Sequence, residues 1–370
     1  MARGESDWEG VRLHVVTGKG GTGKTTVAAA LAIALARAGQ TVLLCEVEGR
    51  QGLARLFDKP SLPYAETRLC SFAEDAQPTS TPVAAQPAAS GAHAVEQEQQ
   101  PGTVYGLAID PQAALLEYLE LYYHLGRAGK MLDKIGAIDF ATTIAPGVRD
   151  VLLTGKVYEA VRRWEKARRE GRRVRGRIYD TVVLDAPPTG RIGRFLNVNA
   201  GVADLARVGP IRQQADSITR MLRSPQTAVH VVSTLEEMPV QETADGIEEL
   251  TRIGIPVGGV VVNFVRPTLF DPPALRDAAA DRLGNGGLAE KLARQLAEVG
   301  LPDRPGIVDG LLVEGREHAL SVRSQAEQRT RLEELERPSY ELPYLVDGIN
   351  EIDLGSLAEL AAALTEQGMA

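Results

Sequence analysis

The stretch Gly18-Lys19-Gly20-Gly21-Thr22-Gly23-Lys24-Thr25-Thr26 decides the fold. It fits the pattern G-x-x-x-x-G-K-[ST], in which a glycine-rich turn wraps phosphate groups. Upstream, Val11 to Thr17 is short and apolar-rich and reads as a buried strand. Downstream, Val27 to Ala38 is rich in Ala and Leu and reads as a helix ending at Gly39. Strand, loop and helix in that order is the context the motif requires. Gly18, Gly20, Gly21 and Gly23 let backbone N–H groups approach anions with no Cβ in the way. The helix that begins near Lys24 points its positive end at the same anions. Lys24 is placed to reach the β- and γ-phosphates, and the Thr25 hydroxyl to hold Mg²⁺. The whole loop, with Thr22 and Thr26, is the expected nucleotide-binding segment.

Lys19 goes beyond the plain motif. With it, the loop resembles the deviant Walker A loop K-G-G-x-G-K-T of a dimeric NTPase class. That class includes partition and septum-site ATPases, nitrogenase iron protein, the arsenite-pump ATPase ArsA and the eukaryotic ATPase that delivers tail-anchored membrane proteins. The resemblance implies that Lys19 reaches across a dimer interface to the partner's nucleotide. A cation supplied in trans is worth roughly 10³–10⁵ in rate among GTPases.

Composition bounds the rest. The chain has 370 residues, 44% apolar and 24% charged, which is ordinary for a soluble protein with a sizeable core. Its net charge of −8 speaks against nucleic-acid binding by electrostatics alone. The two cysteines, Cys45 and Cys70, form no pairing or metal pattern and fit a reducing cytosol. No apolar run is long enough to span a membrane, and Met1 to Asp7 has no signal-peptide core. The expected location is cytoplasmic, with any membrane contact made from the water side.

Along the chain, Thr41 to Val47 reads as a second parallel strand with Cys45 buried in it. In the loop from Glu48 to Phe57, Leu53 and Phe57 match the switch I pattern D-P-A-H-N-L-x-x-x-F of the ArsA and tail-anchored-targeting families. Glu48 stands where those families place the aspartate that orients the attacking water. Its carboxylate sits one bond further out, about 1.5 Å. A misplacement of that order can change a rate roughly 10²-fold, so efficient, slow and absent hydrolysis all remain open.

Residues 75–103 are of low complexity and are expected to be disordered. A strand is expected at Val104 to Ile109, followed by Asp110-Pro111. Residues 112–175 read as mainly helical by period. Ala145 to Asp150 resembles the family's P-G-I-D-E, which implies a helical subdomain inserted in the ATPase, either a nucleotide-responsive client site or a plain cap. From Arg162 to Arg177 the chain is densely basic, and two readings stand: contact with an acidic partner or anionic headgroups, or a solvated helix end.

Ile178 to Asp185 reads as a buried strand ending in an acid, as a Walker B strand does, with Asp185 near Mg²⁺. Ala186 to Arg191 is close to the family's switch II, D-T-A-P-T-G-H, and a helix is expected over about 195–222. Thr227 to Ser233 is a further strand, with His230 read as a satisfied sheet residue. Glu236, Pro239 and Glu242-Thr243 resemble the family's E-x-x-x-x-x-E-T, which implies a place beside the nucleotide for Glu236. Val257 to Val262 is another strand. Asn263, matching the family's V-V-N, has an amide suited to the adenine edge; the alternative is a strand-end cap. After a charged helical region at 273–336, Tyr340 to Leu345 resembles the last strand and its nucleotide-side loop, which brings Pro343 and Tyr344 to the nucleotide. A helix closes the chain at about 355–367.

The resemblance covers nearly the whole chain except 75–103, and the chain is identified as an ArsA-type ATPase, nearest in character to actinobacterial ArsA-like proteins. It implies an α/β P-loop NTPase fold, with a mainly parallel sheet flanked by helices. It also implies ATP and Mg²⁺ as cofactors, and a homodimer or a heterodimer with a paralogous ATPase that acts on a protein client. The family's zinc-bridging C-x-x-C and arsenite-sensing cysteines have no counterparts here, so neither zinc nor arsenite is expected. A nucleotide-regulated binding protein with weak turnover is the second expectation. A partition-type ATPase on DNA is the third, opposed by the acidic balance.

Overall fold

The computed structural model describes residues 6–49, 51–72, 102–123, 146–169, 172–199, 210–283, 287–301, 306–345 and 353–370. The strands are β1 (Leu13–Gly18), β2 (Thr41–Glu46), β3 (Thr67–Phe72), β4 (Gly102–Ala108), β5 (Trp164–Arg169), β6 (Arg172–Arg177), β7 (Thr181–Asp185), β8 (Thr227–Ser233), β9 (Val257–Val265) and β10 (Ser339–Pro343). Eight of them form one sheet in the order β10-β9-β8-β1-β7-β2-β4-β3. Every pairing is parallel except β3 with β4.

Side chains alternate across the sheet, as a two-residue period demands. Leu13, Val15, Leu43, Cys45, Val182 and Leu184 face one core, and Val16, Val42, Leu44 and Val183 face the other. The first core is covered by α4 (Pro146–Arg162), α5 (Thr189–Leu196) and α6 (Pro210–Leu222), through residues such as Val157, Phe195 and Ile218. The second is covered by α1 (Lys24–Arg37), which is buried along almost its whole length, and by the closing α11 (Leu354–Glu366). A helix apolar on all sides lies between layers rather than on a surface. The alanines of α1 allow it to lie close to both the sheet and α11. The other helices are α2 (Gly52–Leu56), α3 (Pro111–Tyr123), α7 (Glu237–Arg252), α8 (Pro272–Ala279), α9 (Leu288–Glu298) and α10 (Ile307–Glu333).

Five expectations need correction. First, the strand expected at Val104 begins at Gly102, so the low-complexity stretch ends earlier than 103. Thr103 pairs with Thr41, and a Cβ on Gly102 would meet the Ala36 carbonyl oxygen at 1.7 Å. Only glycine lets β4 start against the end of α1. Residues 75–101 lie outside the described residues. Second, the basic stretch is a two-stranded antiparallel hairpin, β5 with β6, rather than a helix end. Third, the helix expected over 195–222 starts earlier, at Thr189, and breaks at Asn197, where α5 ends; α6 is described from Pro210, and 200–209 lie outside the described residues. Fourth, β3 was not anticipated. Fifth, β9 runs through Asn263 to Val265.

Candidate functional site

β1, central in the sheet between β8 and β7, delivers its C-terminal end to the glycine loop. The loop is closed on itself. Thr22 Oγ1 donates to the Lys19 carbonyl at 2.9 Å, and Lys24 Nζ donates to the same oxygen at 3.3 Å. Gly23 caps α1 with φ +84°, and a Cβ there would stand 2.4 Å from Asn263 Nδ2. Both the backbone conformation and the close approach require glycine. The first turn of α1 has no side-chain cap and no acidic residue. Its first N–H groups have no intrahelical acceptors, and together with the helix dipole they make a ready anion site.

Thr25 Oγ1 donates to Asp185 Oδ2 at 2.7 Å, joining the start of α1 to the end of β7. Asp185 is buried, and burial pushes its carboxyl up to about 6; the charges of Glu46 and Glu48 push the same way, against the Thr25 hydrogen bond and Lys24. Glu46 stands beside Asp185 in the β2–β7 register. It was not singled out in the sequence, where it is one acid at a strand end. It accepts from Gly52 N at 3.1 Å and Leu53 N at 3.3 Å, so it caps α2 and holds switch I over Thr25.

Glu48 lies 3.7 Å from Arg191 Nη1 of α5. With Arg149, Asp150 and Phe195 they line a cavity of about 210 Å³ between switch I and α4. Burial raises the Asp150 carboxyl, against Arg191, Arg194 and Arg149. Lys19 Nζ pairs with Glu242 Oε1 at 2.8 Å, and Glu242 Oε2 accepts from Thr189 Oγ1 at 3.2 Å. The extra lysine of the loop and the first residue of α5 thus share one carboxylate from α7. Glu242 was noted in the sequence as part of a pattern; its own role was not foreseen.

Asn263 is buried and donates from Nδ2 to the Thr22 carbonyl at 2.9 Å. It fastens β9 to the loop. Next to it, Phe264 adopts φ +61°. Its ring meets Tyr344 edge-on at 6.3 Å, and Arg266 lies over the Tyr344 ring at 4.1 Å. A bulky residue in the left-handed region is strained, and such strain often marks a binding site. Tyr344, joined to Val265 O through its backbone N–H at 2.9 Å, follows Pro343 and stands at this cluster. Glu236 is exposed at the N-cap of α7, on the sheet edge where β8 meets the loop. The structure therefore gathers Lys19, Lys24, Thr25 and Asp185 around one loop, with Glu48 on an adjoining flank and Asn263 beneath. Among the described residues, no group of three or more His, Cys, Asp or Glu could hold a metal ion by itself, and no helix is long and apolar enough to cross a membrane.

His230 takes no part in the site. It is fully buried, accepts from Gly259 N at Nδ1 (3.1 Å) and lies 2.9 Å from His14 Nδ1 through Nε2. The Gly259 bond leaves the proton on Nε2, so the pair is satisfied only when neutral. Burial lowers His14 to about 4 and His230 well below its ordinary value. A histidine depressed in the folded state takes its proton first on unfolding. Stability is therefore full above pH 6.5 and falls as pH drops towards 4, by about 3 kcal/mol for His14 alone. Asp185, raised when folded, acts in the opposite sense between about 4 and 6. Denaturant midpoints measured on Asp185→Asn lack its opposition and keep, among the described residues, only that of Asp150, whose carboxyl burial also raises. They are expected to drop between pH 6.5 and 4.5, and a flat profile would contradict the buried neutral pair.

A loop of this geometry at the head of a parallel sheet, with an acid on the next strand, defines a P-loop nucleotide-binding protein. The CobQ/CobB/MinD/ParA nucleotide binding domain family matches residues 13–271, and the chain belongs to that family as an ArsA-like member. It is 46% identical to ATPase BagA of Mycobacterium tuberculosis over 360 residues, 97% of this chain and 94% of the relative. It is 24% identical to ATPase GET3 of Kluyveromyces lactis over 282 residues, 67% and 70% of the two chains. With ATPase ARSA1 of Chlamydomonas reinhardtii the identity is 25% over 233 residues, 56% of this chain and 25% of the relative.

Proposed function

We propose that this chain is a Mg²⁺-dependent ATP hydrolase of the ArsA type, working as a nucleotide-gated dimer that changes its affinity for a protein client. The observation that carries the reading is the junction of loop, helix and strand at Lys24, Thr25 and Asp185, with Thr25 Oγ1 2.7 Å from Asp185. The oxygen donors there suit a hard cation. Mg²⁺ is commonly held by one or two carboxylates together with substrate phosphates, which fits Thr25 and Asp185. When bound, it would neutralise charge on the β- and γ-phosphate oxygens. The uncapped amides of α1 and Lys24 bind the phosphates. Thr25 and Asp185 would hold the metal, the Thr25 hydroxyl giving up the hydrogen bond that it makes to Asp185 in this structure. Glu48 orients the attacking water, itself held by Arg191. Asn263, Phe264, Arg266 and Tyr344 form the base-side wall, with Pro343 and Glu236 at its margins.

Lys19 acts on the nucleotide of a second subunit. To do so it leaves Glu242, which also frees Thr189 and so links the loop to α5. The stretch 112–175, of which α3, α4 and the hairpin are described, is the subdomain that responds. A cavity lined by Glu48 on the one side and by Arg149 and Asp150 on the other lies between its α4 and switch I. The relatives named ATPase support hydrolysis, and the loop lysine supports the dimer.

The Glu48–Arg191 ion pair supports hydrolysis by this chain itself, since it holds the carboxylate of Glu48 beside the loop. Glu48→Asp withdraws the carboxylate and is expected to lower steady-state turnover roughly 10²-fold. In the alternative reading, a nucleotide-regulated binding protein paired with a paralogous ATPase, wild-type turnover is negligible and Glu48→Asp raises it.

A further inference from the structure

At the opposite edge of the sheet from the glycine loop, the start of β1, the end of α4, the end of β6 and the α6–β8 turn surround a cavity of about 350 Å³. β1 separates the two edges by six residues, about 20 Å. Four arginines line the cavity, Arg12, Arg162, Arg177 and Arg220, together with the hydroxyls of Ser217 and Ser224; no carboxylate does so among the described residues. Arg12 is 9% exposed, while the other three are exposed. Arg12 Nη2 donates to the carbonyls of Val161 (3.3 Å) and Tyr179 (3.0 Å), and its Nε is buried with no acceptor among the described residues.

A buried guanidinium that is not matched by a carboxylate is unfavourable unless an anion completes it. Among the described carboxylates nearby in sequence, Asp216 pairs with Arg212, Glu159 with Lys156, and Asp180 accepts from Thr41 N. The hairpin β5–β6 reaches the cavity at Arg177.

We propose that this cavity is a second anion site, distinct from the nucleotide loop, that takes a phosphomonoester group. Planar guanidinium forks match phosphate oxygens in pairs, and serine hydroxyls complete the remaining lone pairs. The volume accommodates a single headgroup or a small phosphate ester. The group comes either from a soluble ester or from a lipid headgroup.

The test uses the full chain carrying Lys24→Ala, which weakens phosphate uptake at the nucleotide loop. Calorimetric titration with inorganic pyrophosphate reads the soluble source. Co-sedimentation with phosphatidic acid vesicles, against phosphatidylglycerol vesicles of matched surface charge, reads the lipid source, since only phosphatidic acid presents a monoester. In the added double substitution Arg162→Glu, Arg220→Glu, at exposed positions, uptake of the active probe is expected to fall at least about tenfold. Arg12→Met removes the buried fork and is expected to do the same, with melting midpoints checking that each variant is folded. Pyrophosphate uptake lost in the double variant establishes a soluble phosphate ligand. Preference for phosphatidic acid, lost in the same way, establishes a headgroup. Uptake of neither probe, uptake unchanged by the charge reversals, or equal uptake of both vesicle types without pyrophosphate binding overturns the proposal.

Discussion

Replacing Lys19 with alanine is expected to lower the rate of ATP hydrolysis roughly 10³–10⁵-fold, the range found where a trans cation completes a phosphoryl-transfer site. Nucleotide affinity is expected to stay close to wild type, because Lys19 binds Glu242 in its own chain and leaves the phosphates to Lys24 and the amides of α1. The substitution thus separates binding from chemistry: kcat falls and the dissociation constant for ATP does not follow. Mixing tests the trans action directly. A Lys19→Ala subunit keeps Lys24, and a Lys24→Ala subunit keeps Lys19. Two inactive preparations should therefore recover activity when combined, since a mixed dimer has one complete site. A mixture that stays inactive would place the work of Lys19 within its own chain.

Lys24→Ala is the second large effect. Lys24 is 8% exposed and closes the loop through the Lys19 carbonyl. Its loss removes the one buried cation of the loop at the point where phosphate charge arrives, and electrostatic donors of this kind are each worth roughly 10²–10³ in rate. ATP binding is expected to weaken along with turnover, unlike in Lys19→Ala. The thermal midpoint measured with and without ATP reads this. Wild-type protein gains stability in proportion to the logarithm of ligand over its dissociation constant, and Lys24→Ala should lose most of that gain. An equal ATP-dependent shift in both proteins would remove Lys24 from the site.

The parts of the fold that were legible in the sequence are those fixed by local pattern. β1 with its loop and α1 follow from glycine spacing and an apolar run. β7 ending in Asp185 and β8 follow from continuous apolar stretches, which is how strands buried on both faces read. His230 as a structural residue was also legible, between valines on a buried strand. What was not legible depends on partners far away in the chain. β3 is a short edge strand, Thr67 to Phe72, whose mixed polar and apolar residues show no clean alternation; it exists because β4 offers it a free edge. The hairpin β5–β6 hides in a basic run that composition alone assigns to a solvated helix. Glu46 becomes the cap of α2 only because the chain turns back above it. Asn263 also donates from its amide to the Thr22 carbonyl of the loop, a contact across 241 residues of sequence that no local spacing announces. The Lys19–Glu242–Thr189 link is of the same kind. Motifs supply the chemistry of this site, and tertiary proximity supplies its wiring.

The most direct measurement is equilibrium binding of ATP to the purified full-length chain with magnesium present, followed by steady-state phosphate release from the same preparation. The account predicts saturable binding that is lost in Lys24→Ala and measurable turnover that is lost in Lys19→Ala. Absence of ATP binding with magnesium present would contradict it at the root.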